Sequence, residues 1–356
     1  MTLRRFAAGL DTIPASAAWY LADLGRSQGK QELFTRQSPE RLRVLREHAL
    51  IESAVSSNRI EGVSIPPARV LPVIMGRALL RDRDEEEVRG YRDALRLIHE
   101  HHAGLPLSTG TILQLHRLSR GEVGDAGRFR AKPCDIIEHL PDGRQRVRFR
   151  AVAPADVPDS TAELLELWRT GLEERKVHPL VLLAGANLDF LCIHPFRDGN
   201  GRVSRLLLLL QCYHLGYEVG RYVSLERTIE QNKERYYETL ELSSEGWHQG
   251  KHNPWHYINF LLYILKTAYL EFERRVGEIA TPRGGKTELV IAAIDRHFGP
   301  FHVSDLQKEC PSVSLDWIRA LLKKLRADGR VECLGRGLNA QWQKTDRWDM
   351  GTNSGI

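Results

Sequence analysis

Nothing in this sequence is spaced like a disulfide framework or a zinc knuckle. Its five cysteines, Cys134, Cys192, Cys212, Cys310 and Cys333, are scattered, with no C-x-x-C pair, and that pattern fits a reducing compartment. Long hydrophobic runs are also missing. The greasiest stretches, around 206–210 and 257–265, fall short of the ~20 residues that cross a bilayer, so no membrane partner is expected. Arg4 and Arg5 ahead of Phe6, Ala7 and Ala8 imitate the start of an export signal, but Asp11 interrupts it, and none is expected. Charge of one sign is not dominant either. Lysine plus arginine number 51 and aspartate plus glutamate 46, a net +5, which suits a phosphate-bearing ligand without demanding a nucleic-acid coat. There is no internal repeat. By elimination, the expectation is a cytoplasmic globular protein.

What is present is enough apolar material, 42% of 356 residues, to build two or three compact units. Ser38 and Pro39 supply a cap and a first-turn proline for a helix over 40–60 that stops at Gly62. A second helix is expected over 84–100. Two β-like runs, 134–140 and 145–151, flank the turn signal Pro141-Asp142-Gly143 and predict one hairpin in an otherwise helical protein. Helical patterning returns from Asp159. The segments 179–193 and 203–213 are apolar nearly all round, as in helices buried on every side. Further helices fit 225–245 and 254–278, and Thr281-Pro282-Arg283-Gly284-Gly285 reads as a linker. Beyond it, helices over 287–298, 303–309 and 315–327 and a ribbon over 330–343 broken at Gly335 and Gly337 suggest a winged helix.

The chemistry concentrates in residues 194–205, between the two buried helices. Gly199, Asn200 and Gly201 can take positive φ cheaply, so their N–H groups could turn together into an anion nest at a helix start. Arg202 and Arg205, three apart, would add two guanidinium forks for phosphate oxygens. Asp198 is a hard oxygen ligand suited to Mg2+. His194 has a ring whose ordinary pKa suits proton abstraction from an attacking hydroxyl. Alone, a histidine before a proline or a G-N-G is a loop feature. Together, sunk among apolar helices, these groups are the parts of a phosphoryl or nucleotidyl transfer site.

The run His194-Pro195-Phe196-Arg197-Asp198-Gly199-Asn200-Gly201-Arg202-Val203-Ser204-Arg205 resembles the signature of the Fic family, H-P-F-x-D/E-G-N-G-R-x-x-R, at every defined position. Gly127-Arg128-Phe129-Arg130 and Tyr236-Tyr237-x-x-Leu240 extend the similarity over roughly 100–270. The resemblance implies a mainly α fold: a Fic-type helical core with a hairpin flap, plus the C-terminal winged helix. It implies ATP as co-substrate, Mg2+ on Asp198, His194 as general base, and Gly199, Asn200, Gly201, Arg202, Val203, Ser204 and Arg205 around the phosphates. Tyr237, with Tyr236, would lie near the adenine, although Tyr236 reads equally as a core aromatic. The flap would clamp a target protein's Ser, Thr or Tyr hydroxyl by strand addition. The intact G-N-G-R centre implies AMP transfer rather than phosphorylation. Removal of AMP as a second activity stays open. Many relatives carry His and Glu where this chain has Asn187 and Leu191, a departure expected to touch packing and not chemistry.

Upstream, Ser57-Asn58-Arg59-Ile60-Glu61-Gly62 matches the family's inhibitory signature S/T-x-x-x-E-G/N. Ser57, Glu61 and Gly62 fall at a helix C-terminus, where the macrodipole disfavours a carboxylate. Glu61 therefore needs a cationic partner, and the resemblance nominates Arg205. The implied organisation is an N-terminal helical region with the inhibitory helix (1–105), the Fic core (106–280), the winged helix (281–348) and a frayed tail (349–356).

Two other patterns are rejected. Gly284-Gly285-Lys286-Thr287 imitates a P-loop, but Ala280 stands where its first glycine belongs. His248, His252 and His256 have ligand spacing, but Gly250 and Pro254 break the helix that would align them. From 286 to 344 there are ten basic and seven acidic residues. Arg319, Lys323, Lys324, Arg326 and Arg330 gather on and after the third helix, where a winged helix would meet DNA or dock a protein. The rival to an autoinhibited adenylyltransferase is a nucleotide-sensing, DNA-binding transcriptional regulator. Retention of His194 favours the enzyme, since sensing needs no base. Oligomeric state, a homodimer included, stays open.

Overall fold

A computed structural model describes residues 1–10, 12–35, 39–121, 124–139, 144–277, 285–310, 313–335, 337 and 340–348. Helices α1 (Thr2–Ala7), α2 (Ala15–Thr35), α3 (Pro39–Ile60), α4 (Pro67–Ile74), α5 (Arg83–His101) and α6 (Thr109–Arg120) precede a hairpin of β1 (Ile136–His139) and β2 (Gln145–Phe149). Next come α7 (Val157–Glu174), α8 (Pro179–Ile193), α9 (Asn200–His214), α10 (Leu225–Gln231), α11 (Lys233–Ser244) and α12 (Trp255–Gly277). The expected cap Ser38, the turn 141–143, most of the linker and the tail lie outside the described residues.

Helices α8 and α9 form the centre, as their all-round apolarity predicts: of α8, every residue from Leu180 to Ile193 is buried. Apolar side chains from Met1 to Val276 share one continuous core, so residues 1–105 pack into the same interior as the segment after them. The stretch that imitates an export signal is α1, anchored on α8. The Asp189 carboxylate accepts hydrogen bonds from the N–H groups of Thr2 (2.7 Å) and Leu3 (2.8 Å) and from Trp247 Nε1 (2.6 Å). A Cβ on Gly185 would lie 2.8 Å from the Phe6 ring, so α1 can dock only where α8 has no side chain.

The single helix expected over 225–245 is two. Asn232 leaves the helical region (φ −119°, ψ 32°) and its amide donates to the Thr228 carbonyl at 2.9 Å. A side chain that competes for backbone partners ends one helix and lets the next begin at Lys233.

The C-terminal unit has its own core around Val290, Leu306, Ile318 and Leu322. It contains α13 (Gly285–Arg296), β3 (Phe301–His302), α14 (Val303–Glu309), α15 (Leu315–Ala327), β4 (Val331–Cys333) and β5 (Gln341–Lys344). The expected ribbon pairs β4 with β5. The short β3, which sequence patterning missed, adds to the other side of β5. Arg319, Lys323, Lys324 and Arg326 stand exposed on α15. Arg330 does not join them: its guanidinium lies 4.6 Å from the Trp348 ring centre and donates to the Trp348 carbonyl. Glu309 lies 2.9 Å from His297 and 3.6 Å from His48 of α3, a polar contact onto the helix that carries Ser57.

Candidate active site

Helix α8 ends in a left-handed residue, His194 (φ 53°), before Pro195 redirects the chain. His194 Nδ1 lies 3.2 Å from the Leu191 carbonyl, which places the ring hydrogen on Nδ1 and leaves the Nε2 lone pair free. Burial is the main reason its pKa falls below 6.5, so the ring is a neutral base at pH 7.

The loop then closes on itself through Asn200, whose amide accepts from Phe196 N–H (2.9 Å) and donates to the Phe196 carbonyl (2.8 Å). Of the three residues expected to share positive φ, only Gly199 has it (84°). Asn200 and Gly201 already belong to α9, since the Asn200 side chain is spent holding the loop. The candidate anion site is therefore the N-terminus of α9 behind one left-handed glycine, and not a three-residue nest.

Glu61 occupies that position. A Cβ on Gly201 would stand 2.2 Å from Glu61 Oε1, so the carboxylate rests on the first turn of α9. Arg205, buried to 2% exposure, donates to Glu61 Oε1 (2.7 Å), to Ser57 Oγ (2.8 Å) and to the Ser57 carbonyl (2.9 Å). Burial pulls the Arg205 pKa down, but the charge and hydrogen bond of Glu61, together with the nearby Tyr236 and Tyr91, outweigh it and the net direction is up. Disfavoured at the end of α3, the carboxylate is favoured at the start of α9. Gly62 turns the chain away with φ 84°.

Arg202 does not sit beside Arg205 as a second fork. It is 1% exposed, donates to Glu87 and Asn58, and lies 3.6 Å from Asp198. Val203 is in the core, and the Ser204 hydroxyl donates to the Gly201 carbonyl (2.8 Å). Asp198 is half-exposed and clasped by Arg120 (2.7 Å) and Arg83 (3.2 Å), and its Oδ1 accepts from Gly199 N–H (2.6 Å). Burial raises its pKa, but Arg120 and Arg202 lower it further, so it is ionised. Behind it, His116 accepts from Gly127 N–H (2.9 Å) and meets the Asp198 carbonyl (3.1 Å) while stacked 3.7 Å from the Phe196 ring. Desolvation takes His116 down to about 4, so it is a neutral strut.

A cavity of about 270 Å³ brings Glu61, His194, Gly201, Tyr236 and Tyr237 together, with Ile136 and Phe149 from the hairpin on its wall. The Tyr237 hydroxyl lies 3.3 Å from the Ile60 carbonyl, and Arg148 stands 5.9 Å from its ring. Tyr236 is 3% exposed and packs on Tyr257 and Phe260, so its ring is chiefly core. Asn187 donates to the Ser204 carbonyl and accepts from the Tyr257 hydroxyl, at 2.7 Å each. A larger open groove of about 840 Å³ along α7 has Glu166, Arg169 and Glu173 on its rim, which pair with one another. The three spaced histidines part ways: His252 meets Thr2, His248 the Arg150 carbonyl and His256 Asn253. Among the described residues no three His, Cys, Asp or Glu side chains group as a metal site.

Sequence reasoning did not find Glu87, Arg83, Arg120 or His116. The first three share a charged stretch and a helix end with no local peculiarity, and only the fold brings them to Asp198.

Comparison with known proteins finds similarity to Fic proteins. Residues 106–212 match the model of the Fic/DOC family. The protein adenylyltransferase Fic of Drosophila persimilis is 27% identical over 216 residues, covering 59% of this chain, and that of Drosophila grimshawi is 28% identical over 211 residues, covering 58%. The matched stretches span only about two fifths of those relatives, 39% and 40%. Among solved structures, a Fic family protein from Desulfovibrio desulfuricans superposes with TM-score 0.60 at 24% identity, covering 94% of this chain and 97% of that one. Fic-1 from C. elegans does so with TM-score 0.54 at 22% identity, covering 74% and 73%. The fold is the one these Fic structures share. No helix among the described residues is long and apolar enough to cross a membrane.

Proposed function

We propose that the chain transfers AMP from ATP to a hydroxyl side chain of a target protein, or of itself, and that Glu61 holds this activity down. The observation that carries the reading is the meeting, in one cavity, of a neutral His194 with a free Nε2 and the α9 N-terminus filled by Glu61. In the reaction the target oxygen forms a bond to the α-phosphorus, the bond from that phosphorus to the bridging oxygen breaks, and pyrophosphate leaves. The hydroxyl proton passes to His194 Nε2.

Asp198, an ionised carboxylate, is an oxygen donor of the kind Mg2+ takes. Asp198 would hold it, and when bound it would neutralise charge developing on the phosphates. Asp198 would have to exchange part of its arginine clasp for the ion. The peptide groups of Gly199, Asn200 and Gly201 and the fork of Arg205 would take phosphate oxygens once Glu61 withdraws. Arg202, tied to Glu87, would act by holding Asp198, and Tyr237 would face the base. Residues 136–149 would serve as the flap.

Label transferred from α-labelled ATP to protein, compared between the unaltered chain and Glu61→Gly, tests the reading. No label on any protein with either form would end it. The same assay started from AMP-bearing product reads hydrolytic removal. A second role, DNA binding through the C-terminal unit, is favoured by the exposed cations of α15.

A further inference from the structure

Arg130 is 6% exposed, and among the described residues no carboxylate pairs with it. Its guanidinium is spent on four backbone carbonyls. Nε donates to His194 (2.8 Å), Nη1 to Lys132 (3.2 Å), and Nη2 to Val152 and to Ile193 (3.4 Å). Its own N–H donates to the Pro195 carbonyl (3.0 Å). Two of these partners, Ile193 and His194, are at the C-terminal end of α8, where carbonyls lack partners within the helix and a cation is favoured. The other two are the roots of the hairpin: Lys132 lies just before β1 and Val152 just after β2. One planar fork thus joins both ends of the hairpin to the residue that carries the catalytic ring.

His194 is one of only two non-glycine residues with positive φ among those described. That conformation is costly for a residue with a Cβ and persists only where its surroundings impose it. At His194 the N–H donates to the Phe190 carbonyl (3.0 Å) and the ring to the Leu191 carbonyl (3.2 Å), both back into α8, while Asn200 to Phe196 and His116, Arg83 and Arg120 to Asp198 act beyond Pro195. At His194 itself the carbonyl is held by Arg130.

We infer that Arg130 is a positioning residue, resting on the AMP-transfer reading, that fixes the left-handed turn at His194 and registers the flap with the base. It touches neither nucleotide nor target. Its loss should lower the rate of transfer while leaving ATP affinity in place. A second signature follows from charge, because the guanidinium also disfavours protonation of the His194 ring.

The test uses the full chain in the Glu61→Gly background, with Arg130→Met and Arg130→Lys. Arg130→Met should reduce kcat at least 10-fold, keep the KM for ATP within about 2-fold, and move the acid limb of the kcat profile to higher pH. Arg130→Lys keeps the charge but loses the planar fork, so kcat should still fall while the acid limb stays in place. A kcat within twofold of background in both variants, or an unmoved limb in Arg130→Met, would overturn the inference. If the Glu61→Gly background transfers no AMP, the functional reading fails by itself. NMR titration of the His194 ring without nucleotide then decides the Arg130 question: a raised pKa in Arg130→Met supports it and an unchanged one sinks it. Should Arg130→Met not fold, the rate of Arg130→Lys carries the comparison, and a kcat within twofold of the background would overturn the inference.

Discussion

Arg205 Nη2 lies 2.7 Å from Glu61 Oε1, while Nη1 of the same buried guanidinium has no hydrogen-bond partner among the described residues. Two of its three nitrogens are used, and the third, Nη1, sits against Gly201, 3.2 Å from where its Cβ would be. Competition between a carboxylate and a phosphate for one such fork biases the site by ~1–3 kcal/mol, or about 5- to 150-fold. Glu61→Gly should raise AMP transfer by that order and Glu61→Asp by less. In the double variant Glu61→Gly with Arg205→Ala the gain should vanish. Unchanged activity in a folded Glu61→Gly protein that binds ATP would return residues 57–62 to an ordinary helix end.

Replacing His194 by alanine should cut transfer ~10²–10⁴-fold while calorimetry shows ATP binding retained. The working form of the ring is neutral and burial lowers its pKa, so protonation inactivates only as pH falls below the ordinary 6.5. The rate should stay level from neutral pH down to that value and drop beneath it. An acid limb centred above 6.5 would assign the base elsewhere.

Glu87 is 2% exposed and accepts from Arg83 (2.9 Å), Arg120 (2.6 Å) and Arg202. Removing one member of a buried ionic group leaves uncompensated charge, at a cost of about 3–5 kcal/mol. Glu87→Gln should therefore lower unfolding stability by that order in urea titrations. A loss under 1 kcal/mol would mean that the arginines find other partners.

If the C-terminal unit binds DNA, affinity of the full chain for mixed-sequence duplex should fall steeply between low and physiological salt as counterions are released. Lys323→Glu with Lys324→Glu should abolish it. Binding that ignores salt, or none at any salt, would favour a protein-docking role for α15.

Helices α8 and α9 were legible because burial on every side demands apolar residues at every position. The hairpin was legible from two β-like runs flanking a turn signal. Those signals are local. The break at Asn232 was not legible, because an asparagine in a helical pattern bends the chain only when its amide finds a carbonyl. The role of α1 was hidden too: its residues imitate an export signal until Asp189, Trp247 and Gly185, far along the chain, provide a dock.

The candidate site divides along the same line. Twelve contiguous residues, 194–205, declare their chemistry in sequence, since a turn, a helix start, a base and a carboxylate are near neighbours on the chain. Which arginine meets the anion site is a matter of direction on α9, and that depends on what packs against it. Arg205 faces Ser57 and Glu61, whereas Arg202 is drawn to Glu87, because α3 and α5 present their carboxylates to different sides of α9. Likewise, the order of the residues alone nominates His194 as a base. Its backbone conformation is set by long-range contacts, with Arg130 reaching it from 64 positions upstream. Local chemistry is written in residue order; the contest for each charged group is settled only when distant helices bring their partners within hydrogen-bond reach.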